Sequence, residues 1–255
     1  MPIYINSTKL GSEAYNVHGN STKLNKIMLG NIKVWEGLPP YYSDLKNGTI
    51  LTESQWLEFL NGGGIAKVIQ LNDQANFRGK QVQVENSQTQ SYKNWIIADF
   101  NHDNTSGTCD LIQANTIKSS FFGYSNNYSS SSLRDWIVGT YYRGFSDSIR
   151  DKMITMAVSS NNNILNDKVK ILSMSEVGNS NVYIIEEGTK YPIFTSSSGS
   201  TANSSRVRSG YTNKWWLRTC HPSISEYVYC VMDDGGFNLD NYTSYNGVVP
   251  CIRFA

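Results

Sequence analysis

The sequence predicts an α+β fold with mostly antiparallel sheets and two or three short helices, preceded by a small N-terminal β-module. Three observations predict it. Apolar–polar alternation at strand length recurs along the chain, most clearly in Tyr227-Val228-Tyr229-Cys230-Val231-Met232, with Gly and Asn clusters at its borders. Helical spacing of apolar residues is confined to a few short windows behind Ser or Thr caps. Finally, Leu38-Pro39-Pro40 divides the chain, because a Pro pair stiffens a short linker into an extended form. The expected organisation is a docking or oligomerisation module at 1–37, a linker at 38–42 and a main domain at 43–255.

Taken in order, the first 37 residues carry a repeat, Asn6-Ser7-Thr8-Lys9-Leu10 returning as Asn20-Ser21-Thr22-Lys23-Leu24. Gly30-Asn31 between two alternating runs reads as a tight hairpin turn. So small a β-unit has too little core to stand alone, so it is expected either to complete its sheet on other chains or to pack on the main domain. In the main domain, Thr52-Glu53-Ser54-Gln55 is a capping-box pattern leading a helix with Trp56, Leu57, Phe59 and Leu60, stopped at Asn61-Gly62-Gly63-Gly64. Strands are expected at Ile65–Leu71, Gln81–Glu85, Tyr92–Asp99, Lys168–Ser173 and Val182–Glu186. Ser129–Ser132 caps a second helix bearing Leu133, Trp136, Ile137 and Tyr141. Ser146 caps a third, with Ile149, Met153, Ile154 and Ala157 on one face. Ser196–Ser205 reads as a polar surface loop, and Asp233-Asp234-Gly235-Gly236 as a turn.

Composition narrows the function. Of 255 residues, 39% are hydrophobic, enough for a substantial core. Twenty-two basic against 21 acidic side chains leave a net charge of +1, which gives no electrostatic footprint for nucleic acid. No apolar run reaches the ~18 residues of a membrane span, and the first residues lack the pattern of a signal peptide. Sixteen Tyr and six Trp are many for this length; aromatic rings suit half-buried sheet positions and binding surfaces alike. Cys109, Cys220, Cys230 and Cys251 show no metal-type spacing. Cys220 and Cys230 could face each other across the terminal hairpin, although buried free thiols are the expectation. Asp99–Asp110 places oxygen residues like a calcium loop, but Asn104 replaces the usual Gly, and a polar hairpin loop is the expectation.

The C-terminal stretch also carries a resemblance. Trp215-Trp216-Leu217-Arg218, a Val-rich strand, an Asp-Gly turn and Gly247-Val248-Val249-Pro250-Cys251-Ile252 resemble uncharacterised phage and bacterial domains of C-type-lectin-like fold, of the formylglycine-generating-enzyme and retroelement variable-protein type. Tyr92–Asp99, Ser132–Ile137 and Asp167–Ser173 agree with it. Lys26-Ile27-Met28-Leu29-Gly30 through Val34-Trp35 resembles N-terminal segments of phage structural proteins. The resemblance implies a virion protein: a head fibre, capsid decoration or tail receptor-binding component, exposed on the particle. Its partners would be other virion proteins such as capsid, portal, tail or fibre subunits, copies of itself, and a host-surface glycan or protein. Ile27, Leu29, Ile32, Val34 and Trp35 would dock it. A surface ligand-binding domain with no virion role is the alternative, and a copper oxidase a distant one.

No catalytic constellation is expected. His18, His102 and His221 fall in loops, no nucleophile motif is present, and Cys220 and Cys230 do not reproduce the oxidase's cysteine pair. Asp233, Asp234 and Asp240 read as a solvated turn rather than paired carboxylates. No cofactor or metal is expected. The expected ligand face is Tyr227, Tyr229, Asn238, Asn241, Tyr242 and Tyr245, with Thr219, His221 and Ser223 at its margin. Trp215 to Arg218 are expected to be scaffold.

Overall fold

The computed structural model describes residues 38–89, 91–179 and 186–255, together with the backbone of four short strands before residue 37. The chain divides into two compact units, Met1–Pro39 and Pro40–Ala255. In the first, β1 (Tyr4–Ile5) pairs antiparallel with β2 (Thr8–Lys9), and β3 (Lys26–Leu29) with β4 (Ile32–Glu36). The register sets Ile27 against Trp35 and Leu29 against Ile32. The side chains of Ile27, Leu29, Ile32, Val34 and Trp35 lie outside the described residues, as do Gly30-Asn31, His18 and most of both repeat copies.

The second unit opens on α1 (Tyr42–Lys46), α2 (Glu53–Asn61), α3 (Gly64–Gln70) and α4 (Gln74–Phe77). The Thr52–Gln55 capping box closes reciprocally: Thr52 Oγ1 accepts the Gln55 N–H and the Gln55 side chain accepts the Thr52 N–H. Trp56, Phe59 and Leu60 turn inward. The strand expected at Ile65–Leu71 is instead α3. Gly63, at φ 74°, reverses the chain, and Ile65 and Val68 then bury three residues apart on one helical face. A short apolar run of this kind serves either structure, and packing decided it.

Next come β5 (Gln81–Gln83), β6 (Asn94–Phe100), β7 (Cys109–Gln113), β8 (Asn115–Thr116) and β9 (Ser119–Ser120). Ser131 caps α5 (Ser132–Trp136) by accepting the Arg134 N–H, and a wider π-type turn continues it over Ile137–Tyr141. Ser146 caps α6 (Asp147–Lys152) in the same way through Ile149. This helix is shorter than its expected apolar face. Met153 turns extended and bridges Phe254, and Met156–Ser160 forms β10. Met156 and Val158 are buried in strand alternation, and Ala157 between them, expected on the helical face, is exposed. A two-residue turn with Asn161 and Asn162 both at positive φ joins β10 to β11 (Asn163–Asp167), the geometry that matches strand twist. There follow β12 (Val169–Ile171), β13 (Ser209–Gly210), β14 (Trp215–Cys220), β15 (Tyr227–Val231), β16 (Phe237–Asn241), β17 (Asn246–Gly247) and β18 (Pro250–Phe254). The strand expected at Val182–Glu186 lies outside the described residues, save Glu186.

Two five-stranded sheets organise these elements. One is wholly antiparallel in the order β12-β18-β7-β6-β5; the other runs β16-β15-β14-β17-β9, with β14 and β17 parallel. Every residue of β7 and β18 is buried, so this sheet is covered on both faces. Helix α2 packs on it with the Trp56 ring edge-on to Phe254 at 5.8 Å. The fold is α+β and mostly antiparallel. Among the described residues, no helix is long and apolar enough to cross a membrane.

Candidate functional site

The site is carried by a buried junction between the two sheets. Strand β14 pairs with β15 at Trp216 and again at Cys220, with a bulge between. Inside that bulge the Arg218 N–H leaves its own sheet and donates to the Leu172 carbonyl at 2.8 Å, just beyond β12. The Arg218 guanidinium meets both Glu176 oxygens at 2.7 and 2.9 Å and the carbonyls of Ser159, Ile171 and Glu187. Lys170 reaches the same carboxylate at 2.6 Å. Burial alone would raise Glu176, but Arg218 and Lys170 outweigh it and hold its carboxyl down at about 2. Glu187, where burial dominates, is raised instead. Trp216 donates its indole N–H to the Ser120 carbonyl at 2.8 Å, fixing the strand from which the outer loops spring.

Three loops leave this frame and are bonded to one another. The N–H groups of Phe122 and Gly123 donate to the Tyr242 carbonyl at 2.9 and 3.3 Å. The Tyr242 N–H donates to the Glu226 carbonyl at 3.0 Å. Asn126 Nδ2 reaches the carbonyls of His221 and Ile224 at 3.5 and 3.4 Å. Residues 121–127, 221–226 and 241–245 therefore form one continuous surface. On it, Phe121 stands between Tyr124 and Tyr245, with ring centroids at 5.6 and 6.0 Å. Tyr124 is 83% exposed and Tyr245 67%. The ring contacts join Phe121, Tyr124 and Tyr245 into one contiguous apolar patch rather than scattered single exposures, the kind of surface that marks an interaction site.

The expected face is partly assembled here. Tyr242 and Tyr245 lie in the third loop, and Asn241 shapes it by accepting the Thr243 N–H and hydroxyl at 3.0 and 2.7 Å. His221 stacks on Tyr229 at 6.0 Å, and its Nδ1 accepts the N–H groups of Ser223 and Ile224. Tyr227 pairs with Asn241 across the strands and shares its side of the sheet. Asn238 pairs with Cys230 and so belongs to the opposite side from Tyr229. Thr219 is buried: its hydroxyl donates to Glu187 at 2.5 Å and accepts the Met174 N–H, which places it in the frame. Phe121 and Tyr124 escaped the sequence reading. Their signal was the crowded stretch Phe121-Phe122-Gly123-Tyr124, bordered by Ser119-Ser120 before and Ser125-Asn126-Asn127 after.

The other chemical candidates are engaged internally. All four cysteines are free thiols; Cys220 lies opposite Val228 and Cys230 opposite Trp216, so these two do not face each other. Burial raises Cys220, with Glu187 adding to it, and pushes Cys230 and Cys251 up to about 12, which disfavours thiolate. The Asp99–Asp110 loop joins two strands of one sheet. Asp99 is taken by Arg78 and by His102 at 2.9 Å, and Asp110 by Arg253 and Tyr191. Asn104 takes the left-handed conformation usually given to Gly, at φ 60°. Asp233 and Asp234 are exposed in their turn, while Asp240 accepts from Asn246 at 3.1 Å. Among the described residues, no group of three or more His, Cys, Asp or Glu is placed to hold a metal ion.

No curated protein and no solved structure matches the chain. Residues 106–254, from the loop before β7 to the end of β18, match a family described as a domain of unknown function, DUF6273. That segment includes the three bonded loops, the Arg218 junction and more than half of the chain. The protein belongs to the DUF6273 family.

Proposed function

We infer that this chain is a non-enzymatic virion structural protein whose 40–255 unit displays a ligand face for a host surface, with a glycan as the favoured ligand. The observation that carries the reading is the open aromatic group Phe121, Tyr124 and Tyr245 on three mutually bonded loops. Exposed rings offer a sugar ring an apolar platform at little cost in side-chain entropy. Neutral Asn, Ser and Thr groups around them supply hydrogen bonds without a charge requirement. The likeness of residues 26–35 to phage N-terminal segments supports the docking role of the leading unit, and the likeness of the C-terminal stretch supports a C-type-lectin-like display domain. Many weak faces on one particle would gain avidity with no new contact.

Two measurements test it. Tyr124→Ala and Tyr245→Ala should each weaken retention on host cells or isolated cell-wall polysaccharide at least tenfold, while stability changes by less than about 0.5 kcal/mol, as for other surface substitutions. Unchanged retention removes the ligand face. Separately, the chain should co-sediment with purified particles, and a 40–255 form should not. Equal sedimentation of both forms removes the docking role. Retention on cells without particle association would support the alternative of a surface ligand-binding domain.

A further inference from the structure

Among the described residues four arginines are buried: Arg206, Arg208, Arg218 and Arg253. In three of them the guanidinium edge formed by Nε and Nη2 is engaged. Arg253 turns it to both oxygens of Asp110, at 2.5 and 2.8 Å. Arg218 gives Nε to the Ser159 carbonyl and Nη2 to Glu176 and the Glu187 carbonyl. Arg206 gives the same two nitrogens to the carbonyls of Val177 and Gly178, at 2.7 and 3.0 Å. The less buried Arg134 repeats the arrangement on Asp167.

Arg208 departs from this pattern. Its Nη1 donates to the carbonyls of Ser205 and Val207 at 3.2 and 2.9 Å, but among the described residues the buried Nε has no partner and Nη2 makes no hydrogen bond. The Phe194 ring lies against the guanidinium at 5.4 Å. Burial pushes its pKa down to about 10, and no neighbouring acid opposes that shift. Buried charges are as a rule paired, and an unmet buried donor costs about 1–3 kcal/mol. An orphaned group of this kind calls for a specific explanation.

We propose that Arg208 anchors a small oxyanion site, receiving a carboxylate, sulfate or phosphate group on its Nε–Nη2 edge. That edge carries two parallel N–H donors, the fork that matches a pair of anion oxygens. The residue is only 6% exposed, so the site admits one small anionic group rather than a broad polyanion. A free ion or the acidic sugar of a glycan would supply the same chemistry. The site is independent of the aromatic face and stands whether or not that face binds sugar.

The test is thermal unfolding of the full chain in sodium sulfate, acetate or glucuronate, against chloride at equal ionic strength. A ligand that binds only the folded state raises Tm with its concentration. The wild type should be stabilised by the oxyanions beyond chloride. Arg208→Lys, which keeps the charge but loses the fork, should need at least tenfold more anion, and Arg208→Gln should not respond. Glucuronate binding tenfold tighter than acetate would assign the site to an acidic sugar; equal binding would assign it to the free ion. No stabilisation, or the same stabilisation in Arg208→Gln, overturns the proposal. Should Arg208→Gln fail to fold, the Arg208 Nε–H resonance of the wild type decides: it must move during the acetate or sulfate titration, and a fixed resonance overturns the site.

Discussion

Glu176 is held by two buried cations, and the value of that arrangement lies in its completeness. Removing one partner of a buried pair leaves uncompensated charge and typically costs about 3–5 kcal/mol. Glu176→Gln is accordingly expected to lose stability on that scale in urea denaturation at neutral pH. The same residue sets a pH limb. Its folded carboxyl sits at about 2, below the ordinary value of ~4.3 for an unfolded Glu. Its contribution is therefore complete above that ordinary value and lost as pH falls toward the folded one. Glu187 is shifted the other way: its contribution is present below the ordinary value and lost as pH rises through its raised one. Urea midpoints across pH should thus show an acid limb that becomes shallower in Glu176→Gln, with Asp73 and Asp99 supplying the remainder, and a decline above the ordinary carboxyl range that flattens in Glu187→Gln.

Helix α2 shows how far local chemistry reaches. Its start was legible because Thr52 and Gln55 satisfy each other's backbone whatever lies beyond them. Thr52→Ala is expected to cost about 1 kcal/mol, read as a lowered urea midpoint with unchanged slope. The caps at Ser131 and Ser146 were legible for the same reason. Where the choice depended on distant partners, the sequence misled. Ile65 and Val68 suit a strand by residue type, and became helical because Gly63 turned them toward the core. Met153 and Ala157 suit a helix by spacing, and became extended because Phe254 and β11 lay beside them. The aromatic face was half legible. Tyr242 and Tyr245 announced themselves in a polar loop, whereas Phe121 and Tyr124 belong to it only through bonds to residues more than a hundred positions away.

At the scale of the molecule, the family segment and the folding unit differ. The match begins at residue 106, yet β5 and β6 complete the same sheet as β7, and Trp56 covers β18. A 106–254 fragment would expose the edge of β7 and the apolar residues beneath α2. An uncovered edge is a template for pairing with other chains. Such a fragment is expected to aggregate, whereas a 40–255 form should remain soluble and unfold cooperatively; size-exclusion chromatography and circular dichroism distinguish the two.

Strand β18 follows every other strand of its sheet in sequence, yet it lies between β12 and β7. During synthesis, β7 can pair with β6, but its other edge and the whole of β12 have no partner in this sheet until β18 has left the exit tunnel. At roughly 5–20 residues per second, the nascent chain would then spend several seconds with the β5-β6-β7 ladder and the lone β12 waiting for the strand between them. A ribosome stalled anywhere short of that point would hold an open, adhesive intermediate that needs a chaperone, however stable the finished protein is.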